Sequence, residues 1–249
     1  MKILFVCAHP DDLEFSVSNI MISLAKVHEV RILSMTQGEY GTYDLELRGE
    51  KLGKIRIKEL RQAASIEGVN SVTFMGCLDA HLEIHRDIIE KVKNYLESYQ
   101  PDVIFAPECL YTTYPHNDHI RTGLIIYFLV KSMKISERPK LFLFHSYVNT
   151  HYFPMKHWKT QSRALKAHKS QYWLLLPTYP LRFLFGIYFG RRLPRAFWAR
   201  TLLAEAVRRV DFQQDAQRIL GIKHRLIGRM VSKLKRFFVL EHLDLANRK

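Results

Sequence analysis

The sequence predicts an α/β protein: a three-layer, Rossmann-like sandwich with a mostly parallel central sheet, followed by a basic helical C-terminal extension. In the first 150 residues, short apolar runs rich in β-branched residues alternate with longer amphipathic stretches. This alternation is typical of repeated βαβ units, in which a parallel sheet carries helices on both faces. After about residue 150 the alternation stops, and basic and aromatic residues become frequent. We therefore expect a single domain over residues 1–249, with its α/β core at 1–175 and the extension at 176–249.

The individual elements follow from this alternation in chain order. Strands are predicted at Lys2 to Ala8, Val30 to Met35, Val72 to Met75, Val103 to Ala106 and Leu141 to Tyr147. Helices are predicted near residues 15–27, 50–67, 84–99 and 117–133, and in the C-terminal part near 157–169, 195–218 and 222–239. Ligands of such sheets bind at the carboxyl edge, so the polar clusters that follow the strands should meet there. These clusters are His9, Asp11 and Asp12; Gln37, Gly38 and Glu39; Asp79 and His81; and residues 114–119.

The composition excludes several classes of protein. With 47% hydrophobic residues and three cysteines in 249 residues, the chain is neither a disordered polymer, nor collagen-like, nor a disulfide scaffold. Cys7, Cys77 and Cys109 lack the paired spacing of a cysteine metal site, so we expect reduced core thiols and a cytoplasmic location. The N-terminal apolar run is too short for a secretory signal.

The net charge of +14 belongs to the C-terminal part, because residues 1–150 have a balance of −2 and residues 151–249 one of +16. Residues 172–200 combine nine aromatic residues with five arginines. This combination favours either peripheral contact with the inner face of a membrane, or packing as core or as a contact between copies with an arginine rim. Pro177, Pro180 and Arg182 argue against a membrane-spanning helix at 172–190. Nucleic acid is not expected as a partner, because no nucleic-acid-reading motif accompanies the charge.

The first polar cluster places His9, Asp11, Asp12 and Glu14 around Pro10, directly after the first predicted strand. Pro10 fixes the local backbone, so His9 and Asp12 can project toward one point while Asp11 is directed differently. Carboxylates buried together repel one another and are costly to desolvate, so this density indicates a nearby metal ion or basic partner. The alternative is a helix cap, in which the aspartates accept hydrogen bonds from free backbone N–H groups.

The second cluster places two imidazoles, His116 and His119, three residues apart at the start of a predicted helix and hence on one face. His9, Asp12 and one of these histidines would form a His₂Asp site with an open fourth position, the arrangement with which a catalytic zinc activates water. Sites of this kind also accept Fe2+ and Co2+. Asp11, beside a ligand but outside the set, is the natural general base.

In their order along the chain, these motifs resemble the LmbE/PIG-L family of zinc-dependent N-acetylglucosaminyl deacetylases. The resemblance covers about residues 1–175 and rests on five segments: 9–14 (HPDDLE), 38–42 (GEYGT), 56–63 (RIKELRQA), 116–119 (HNDH) and 164–171 (ALKAHKSQ). It implies that His9, Asp12 and His119 bind zinc and that Asp11 is the base. Residues 15–19 depart from the family's glycine-rich stretch, and Asn117 stands where proline is common. Neither departure touches a proposed ligand, so they bear on the substrate rather than on the metal.

The resemblance also implies roles around the metal. His116 would protonate the leaving amine or hold the tetrahedral intermediate, and Tyr114 would donate to the developing oxyanion. Arg56 would contact substrate and His168 would orient its neighbours, the alternatives being a surface helix charge and a structural histidine.

The function implied is that of a zinc-dependent hydrolase, which removes the acetyl group from an N-acetylglucosamine-type moiety of a glycoconjugate by metal-activated water. The glycoconjugate is either lipid-linked, in keeping with the basic aromatic part, or a soluble glucosaminyl conjugate such as a thiol-cofactor precursor or a natural-product intermediate. The alternative from another class is a non-catalytic protein that binds a membrane surface.

Overall fold

One mixed sheet runs through the part of the chain that the computed structural model describes, residues 1–69, 71–194 and 202–219. Its strands are β1 (Lys2–Cys7), β2 (Glu29–Thr36), β3 (Ser71–Cys77), β4 (Val103–Pro107), β5 (Lys140–Phe144), β6 (His151–Pro154) and β7 (Ala204–Arg209). Their order across the sheet is β3-β2-β1-β4-β5-β7-β6. The strands β1 to β5 pair in parallel, whereas β7 is antiparallel to both β5 and β6. The prediction of a mostly parallel sheet is confirmed.

Helices pack on both faces of the sheet, as the alternation in the sequence predicts. They are α1 (Asp12–Ser16), α2 (Ser18–Ala25), α3 (Glu50–Ile66), α4 (Arg86–Tyr99), α5 (Asn117–Ser132), α6 (Trp158–Ala167), α7 (Lys169–Leu175), α8 (Tyr179–Gly190) and α9 (Phe212–Ile219). Successive residues of β1 point to opposite faces: Leu4 and Val6 join the core under α4 and α5, and Ile3 and Phe5 the core under α2 and α3. Two apolar layers therefore enclose the sheet.

The helix predicted at 15–27 begins earlier and is divided in two. α1 begins at Asp12, directly after the turn that follows β1, and Val17, with φ −140° and ψ 18°, separates it from α2. At the other side of the sheet, β5 ends at Phe144 because His145 adopts φ 62°, a left-handed conformation that cannot continue a strand. The strand predicted to reach Tyr147 is therefore shorter, and its end carries a histidine.

The helix predicted at 195–218 is wrong over Ala204–Arg209, which form β7, and right over its last part from Phe212, where the observed helix continues to Ile219. Its first part, 195–201, lies outside the described residues. The extension therefore adds a strand to the central sheet. The physical reason lies in two charged residues, Glu205 and Arg208, which are 4% and 1% exposed and interrupt the apolar pattern of a buried strand. The helix predicted at 222–239 lies outside the described residues.

The segment 172–190 forms α7 and α8, joined by a 3-10 turn at Leu176–Thr178. Across the described ranges, no helix has both the length and the apolarity needed to cross a bilayer.

Arg208 ties β7 to two other parts of the fold. Its Nε lies 2.6 Å from Glu108 Oε2 after β4, its Nη1 lies 2.8 Å from both carboxylate oxygens of Asp215 in α9, and its guanidinium stacks 4.8 Å from the centre of the Tyr111 ring. Glu108 Oε1 also accepts hydrogen bonds from the backbone N–H groups of Cys109 and Leu110. This buried cluster holds the start of the loop that follows β4.

We expect Arg208→Met to lower the free energy of unfolding by about 3–5 kcal/mol, because two buried carboxylates then lose their cation. Urea denaturation followed by circular dichroism measures the change. The matched control is Arg209→Met at the neighbouring, exposed position, for which we expect a change within about 0.5 kcal/mol. Equal effects at the two positions would contradict the structural role of the cluster.

Candidate active site

Polar residues from four strand ends meet at the carboxyl edge of the sheet, as predicted. His9 follows β1, Asp79 follows β3, and Asp118 and His119 open α5 after β4. The His9 Nε2 atom lies 3.0 Å from Asp79 Oδ1 and 3.3 Å from Asp118 Oδ2. The cluster after β2 joins them through Glu39, whose Oε1 accepts a hydrogen bond from the Asp79 backbone N–H at 3.1 Å. His81, by contrast, is exposed.

The turn after β1 presents its two aspartates differently. Asp12 Oδ2 accepts hydrogen bonds from the backbone N–H groups of Ala8 (3.0 Å) and His9 (2.9 Å). This leaves Oδ1 facing His119, whose Nε2 is 3.2 Å away. Asp11 has φ 113°, a conformation that costs a non-glycine residue free energy and that persists only where surrounding contacts enforce it. The turn thus directs Asp12 and Asp11 to different places, as the sequence predicts.

Three potential metal donors lie within one small buried triangle. The distance from His9 Nδ1 to His119 Nε2 is 3.2 Å, that from His119 Nε2 to Asp12 Oδ1 is 3.2 Å, and that from His9 Nδ1 to Asp12 Oδ1 is 3.8 Å. Two ligands about 2.0 Å from a tetrahedral zinc ion are separated by about 3.3 Å. All three residues are at most 9% exposed. Two imidazoles and a carboxylate with this spacing fit a divalent metal.

A second layer of carboxylates orients His9. Without a metal, Asp79 and Asp118 outweigh the effect of burial and raise the pKa of His9 well above its ordinary value. Because Nε2 faces these carboxylates, a neutral His9 ring would keep its proton on Nε2 and offer the lone pair of Nδ1 to a metal. Asp118 Oδ2 also accepts a hydrogen bond from the Ala80 backbone N–H at 2.8 Å. Burial alone would raise the pKa of Asp79, but the adjacent His9 outweighs it and holds that pKa well below the usual range. Asp79 therefore stays ionised as a partner of the imidazole.

His116 also belongs to the cluster, since one nitrogen from each of His9, His116 and His119 lies within 4.8 Å of the others. Its Nδ1 accepts a hydrogen bond from the Asp118 backbone N–H at 3.3 Å and so caps α5. Burial and the neighbouring imidazoles of His9 and His119 lower the pKa of His116 to about 3. The spacing leaves both a ligand role and a role toward substrate open for this residue.

Tyr114 lies at the outer side of the same cluster. Its ring centre is 4.8 Å from that of His119, and the residue is 38% exposed. Burial of the phenol and the nearby Asp12 carboxylate raise the pKa of Tyr114 to about 12. The hydroxyl therefore keeps its proton near neutral pH and can donate a hydrogen bond.

Asp11 faces a cation instead of the metal donors. Its Oδ1 is 3.2 Å from Nη2 of Arg56, which also donates to the carbonyl of Pro10 at 2.5 Å, while Nη1 donates to that of Gly38 at 2.8 Å. Burial raises the pKa of Asp11 to about 6, against the opposing effect of Arg56. Arg56 is only 3% exposed. It thus joins α3 to the turn after β1 and to the loop after β2, and is not a surface charge.

His168 lies between α6 and α7 and faces Glu14 of α1. Its Nε2 is 3.4 Å from Glu14 Oε1, and both residues are fully buried. Burial lowers the pKa of His168, but the Glu14 carboxylate outweighs this effect and raises it above its ordinary value. The structure thus pairs His168 with the glutamate of the HPDDLE segment, and its role toward substrate stays a prediction.

One histidine of this site is absent from the sequence-based set. His145, which follows β5, has its Nε2 2.6 Å from the Ser16 hydroxyl, and its ring stacks 5.9 Å from that of His119. Its Nδ1 is buried and has no hydrogen-bond partner among the described residues. The rule that polar residues at strand ends converge would have found it, but the predicted strand extended to Tyr147 and placed it inside.

The chain is similar in sequence to proteins of known families. The family model described as PIG-L, GlcNAc-PI de-N-acetylase, matches residues 4–129. A diacetylchitobiose deacetylase of Thermococcus kodakarensis is 26% identical over 125 residues, which is 50% of this chain and 47% of that protein. A probable N-acetyl-α-D-glucosaminyl L-malate deacetylase 2 of Bacillus anthracis is 25% identical over 187 residues, covering 68% of this chain and 81% of that protein. The chain thus spans about half the length of the first of these relatives.

A solved structure extends the likeness of fold over most of the chain. The N,N'-diacetylchitobiose deacetylase from Pyrococcus horikoshii, complexed with its inhibitor MPG, superposes with a TM-score of 0.76. The match covers 84% of this chain and 83% of that one, at 22% sequence identity. It therefore extends beyond residues 4–129 into the C-terminal part.

Proposed function

The chain belongs to the PIG-L family, and from this premise we propose that it is a metal-dependent N-deacetylase, a hydrolase that releases acetate from an N-acetylglucosamine-type group. The observation that carries the proposal is the buried triangle of His9, Asp12 and His119 with Asp11 beside it. Metal-assisted hydrolysis of an amide uses a site for a metal together with a nearby carboxylate that can accept a proton from water. A non-catalytic binding protein has no use for this combination.

The metal in this proposal is zinc, held by His9, Asp12 and His119. The donor types and their spacing support this choice, and the same donors suit Fe2+ and Co2+. Bound there, the metal supplies Lewis acidity toward the amide carbonyl and lowers the pKa of a water molecule.

Four residues of the chain then have roles in the reaction: they transfer a proton, position a catalytic group or stabilise developing charge. Asp11 accepts a proton from the attacking water, and Arg56 holds the Asp11 carboxylate in place through their 3.2 Å contact. As the amide C–N bond breaks, the proton that Asp11 accepted passes to the leaving amine by way of His116, whose low pKa leaves its ring neutral and able to relay it. Asp11 and His116 thereby return to their starting states, and the products are acetate and a free amino sugar. Tyr114, which keeps its hydroxyl proton, donates a hydrogen bond to the oxygen on which negative charge develops.

The substrate class is an N-acetylglucosamine conjugate. The names of the two curated relatives, a diacetylchitobiose deacetylase and a glucosaminyl malate deacetylase, support a soluble conjugate. The exposed aromatic residues of α7 and α8, together with the exposed basic residues on and beside these helices, support a conjugate linked to lipid. We propose the lipid-linked conjugate as the substrate and the soluble one as the alternative.

We expect purified, zinc-loaded protein to release acetate from at least one of free, nucleotide-linked, inositol-linked and lipid-linked N-acetylglucosamine. Chelation should abolish the release and added zinc should restore it, because the metal supplies the Lewis acid. The matched control is each conjugate without its acetyl group. Bound metal without release from any conjugate would contradict the acetyl substrate, and a protein that binds no metal would favour the non-catalytic alternative.

A further inference from the structure

The helices α7 and α8 leave a group of large apolar side chains uncovered. Its members, here called the aromatic surface, are Trp173 (76% exposed), Leu174 (41%), Leu176 (40%), Phe183 (57%), Leu184 (61%), Phe185 (53%) and Tyr188 (54%). Isolated apolar residues are normal on a protein surface, but seven large ones exposed on two consecutive helices and the turn between them are typical of a contact with a partner. The prediction from the sequence left open whether this segment packs as core. These side chains do not.

The packing of α8 explains why its large side chains point outward. The helix contacts the chain before β7 through small residues: a Cβ atom on Gly190 would lie within van der Waals overlap of the Leu202 carbonyl, and one on Gly186 would lie 3.1 Å from Leu203 Cδ2. Gly186 and Gly190 therefore lie on the face of α8 that contacts this segment. Three consecutive residues from Phe183 to Phe185 project about 100° apart around a helix, so they cover its remaining sides. The side chains of Phe183, Leu184 and Phe185 are thus apolar and yet more than half exposed.

Exposed cations surround the aromatic surface. Lys166 and Lys169 line a groove together with Tyr172 and Trp173, and exposed Arg191 and Arg192 follow α8. No acidic residue occurs in the sequence between Glu137 and Glu205. Arg182 is a different case, because it is turned inward, 3.9 Å from Glu205 and over the Phe15 ring.

We propose that the aromatic surface docks on an anionic lipid bilayer, with its rings at the level of the headgroups and the flanking lysines and arginines on lipid phosphates. Trp, Tyr and Phe favour the membrane interface, and each basic residue near an anionic leaflet strengthens binding. Charge argues against two other occupants. A second copy would bring the same cations against themselves, and the chain's own segment 222–239 contains six basic and no acidic residues. An anionic surface, by contrast, carries the charge opposite to that of the cations around the aromatic surface.

The position of this surface gives docking a consequence for substrate access. The Tyr179 ring at the start of α8 lies 5.8 Å from the ring of Phe15 in α1, the helix that begins at the proposed ligand Asp12. Gln171 in α7 donates a hydrogen bond to the carbonyl of Gly41, in the loop after β2. The helices that carry the aromatic surface therefore pack on α1 and on the loop after β2, two segments of the candidate active site, to which a lipid-linked amino sugar would come from the bilayer. Only this last step rests on the proposed function.

Vesicle flotation tests docking without any enzymatic assay. The full chain is mixed with vesicles of phosphatidylcholine alone or with phosphatidylglycerol added. We expect flotation with the anionic vesicles, and weakening by salt because headgroup attraction is screened. Absence of flotation with anionic vesicles would overturn the proposal, and equal flotation with neutral vesicles would overturn its electrostatic part.

Two variants locate the binding surface. Phe183→Ser combined with Phe185→Ser should weaken vesicle binding by at least about tenfold, because two rings no longer enter the interface. Lys166→Glu combined with Lys169→Glu should weaken binding to anionic vesicles by at least about fivefold and reduce its salt dependence. The matched control is Phe128→Ser, a phenylalanine of α5 that is 58% exposed, for which binding should not change.

Folding and oligomeric state are measured on the same variants. Unchanged urea midpoints show that lost flotation is not lost folding. If the Phe183 and Phe185 substitutions change the molar mass by light scattering and leave flotation intact, a second copy covers the surface and the proposal is wrong. Since flotation does not depend on acetate release, failure of the proposed reaction and failure of docking are separate results.

Discussion

Asp11→Asn is expected to retain the metal and to reduce acetate release by about 10²–10⁴-fold, the usual contribution of a general base. An asparagine side chain has the size of aspartate and can still accept a hydrogen bond from Arg56, so the turn after β1 keeps its contacts. It cannot accept the proton of the attacking water. Turnover number and metal content per chain, measured on the same preparation, separate these two effects.

The control for this substitution is Asp87→Asn, an exposed aspartate in the first turn of α4, which should leave turnover and metal content unchanged. Full activity of Asp11→Asn would show that another group is the base. Loss of metal together with activity would show that Asp11 helps to hold the ion, and the 3.2 Å contact with Arg56 would then need another explanation.

The elements that could be predicted from the sequence are those in which the buried residues are apolar. The parallel strands β1 to β5 are flanked by helices and consist of short apolar runs. The sequence therefore predicts each of them within a few residues of its observed bounds. The strand β7 could not be predicted in this way, because Glu205 and Arg208 are buried against partners that are far away in the chain. Glu205 accepts from the backbone N–H groups of Asn19 and Ile20, and Arg208 pairs with Glu108. Such pairs have no local pattern.

The same distinction applies to the candidate site. Side chains that directly follow strands, such as His9 and Asp12, could be brought together from the topology alone. The second layer of carboxylates behind the metal donors could not be predicted, because it depends on which nitrogen of His9 faces Asp79 and Asp118. Nor could the depth of Arg56, which on a helical pattern alone reads equally well as an exposed charge. The sequence predicts which elements meet, whereas side-chain directions depend on the packed structure.

His119→Ala is expected to lower zinc affinity by more than about 100-fold and to abolish acetate release, since even partners of ligands contribute 10–100-fold to metal affinity. His119 is 2% exposed and lies 3.2 Å from both His9 Nδ1 and Asp12 Oδ1, so its loss removes one donor from the triangle. Zinc competition with a chromophoric chelator measures the affinity. His85→Ala, at an exposed histidine paired with Glu83, is the control and should change neither quantity.

His116→Ala provides the decisive comparison, because His116 also lies within ligand distance of His9 and His119. If Asp12 completes the metal site, this variant should keep zinc within about tenfold of the wild-type affinity and lose about 10²-fold or more in turnover, as expected for a group that acts on the leaving amine. If it loses zinc as completely as His119→Ala does, the metal is held by three histidines. Asp12, fixed by the backbone N–H groups of Ala8 and His9, would then orient the imidazoles rather than bind the ion.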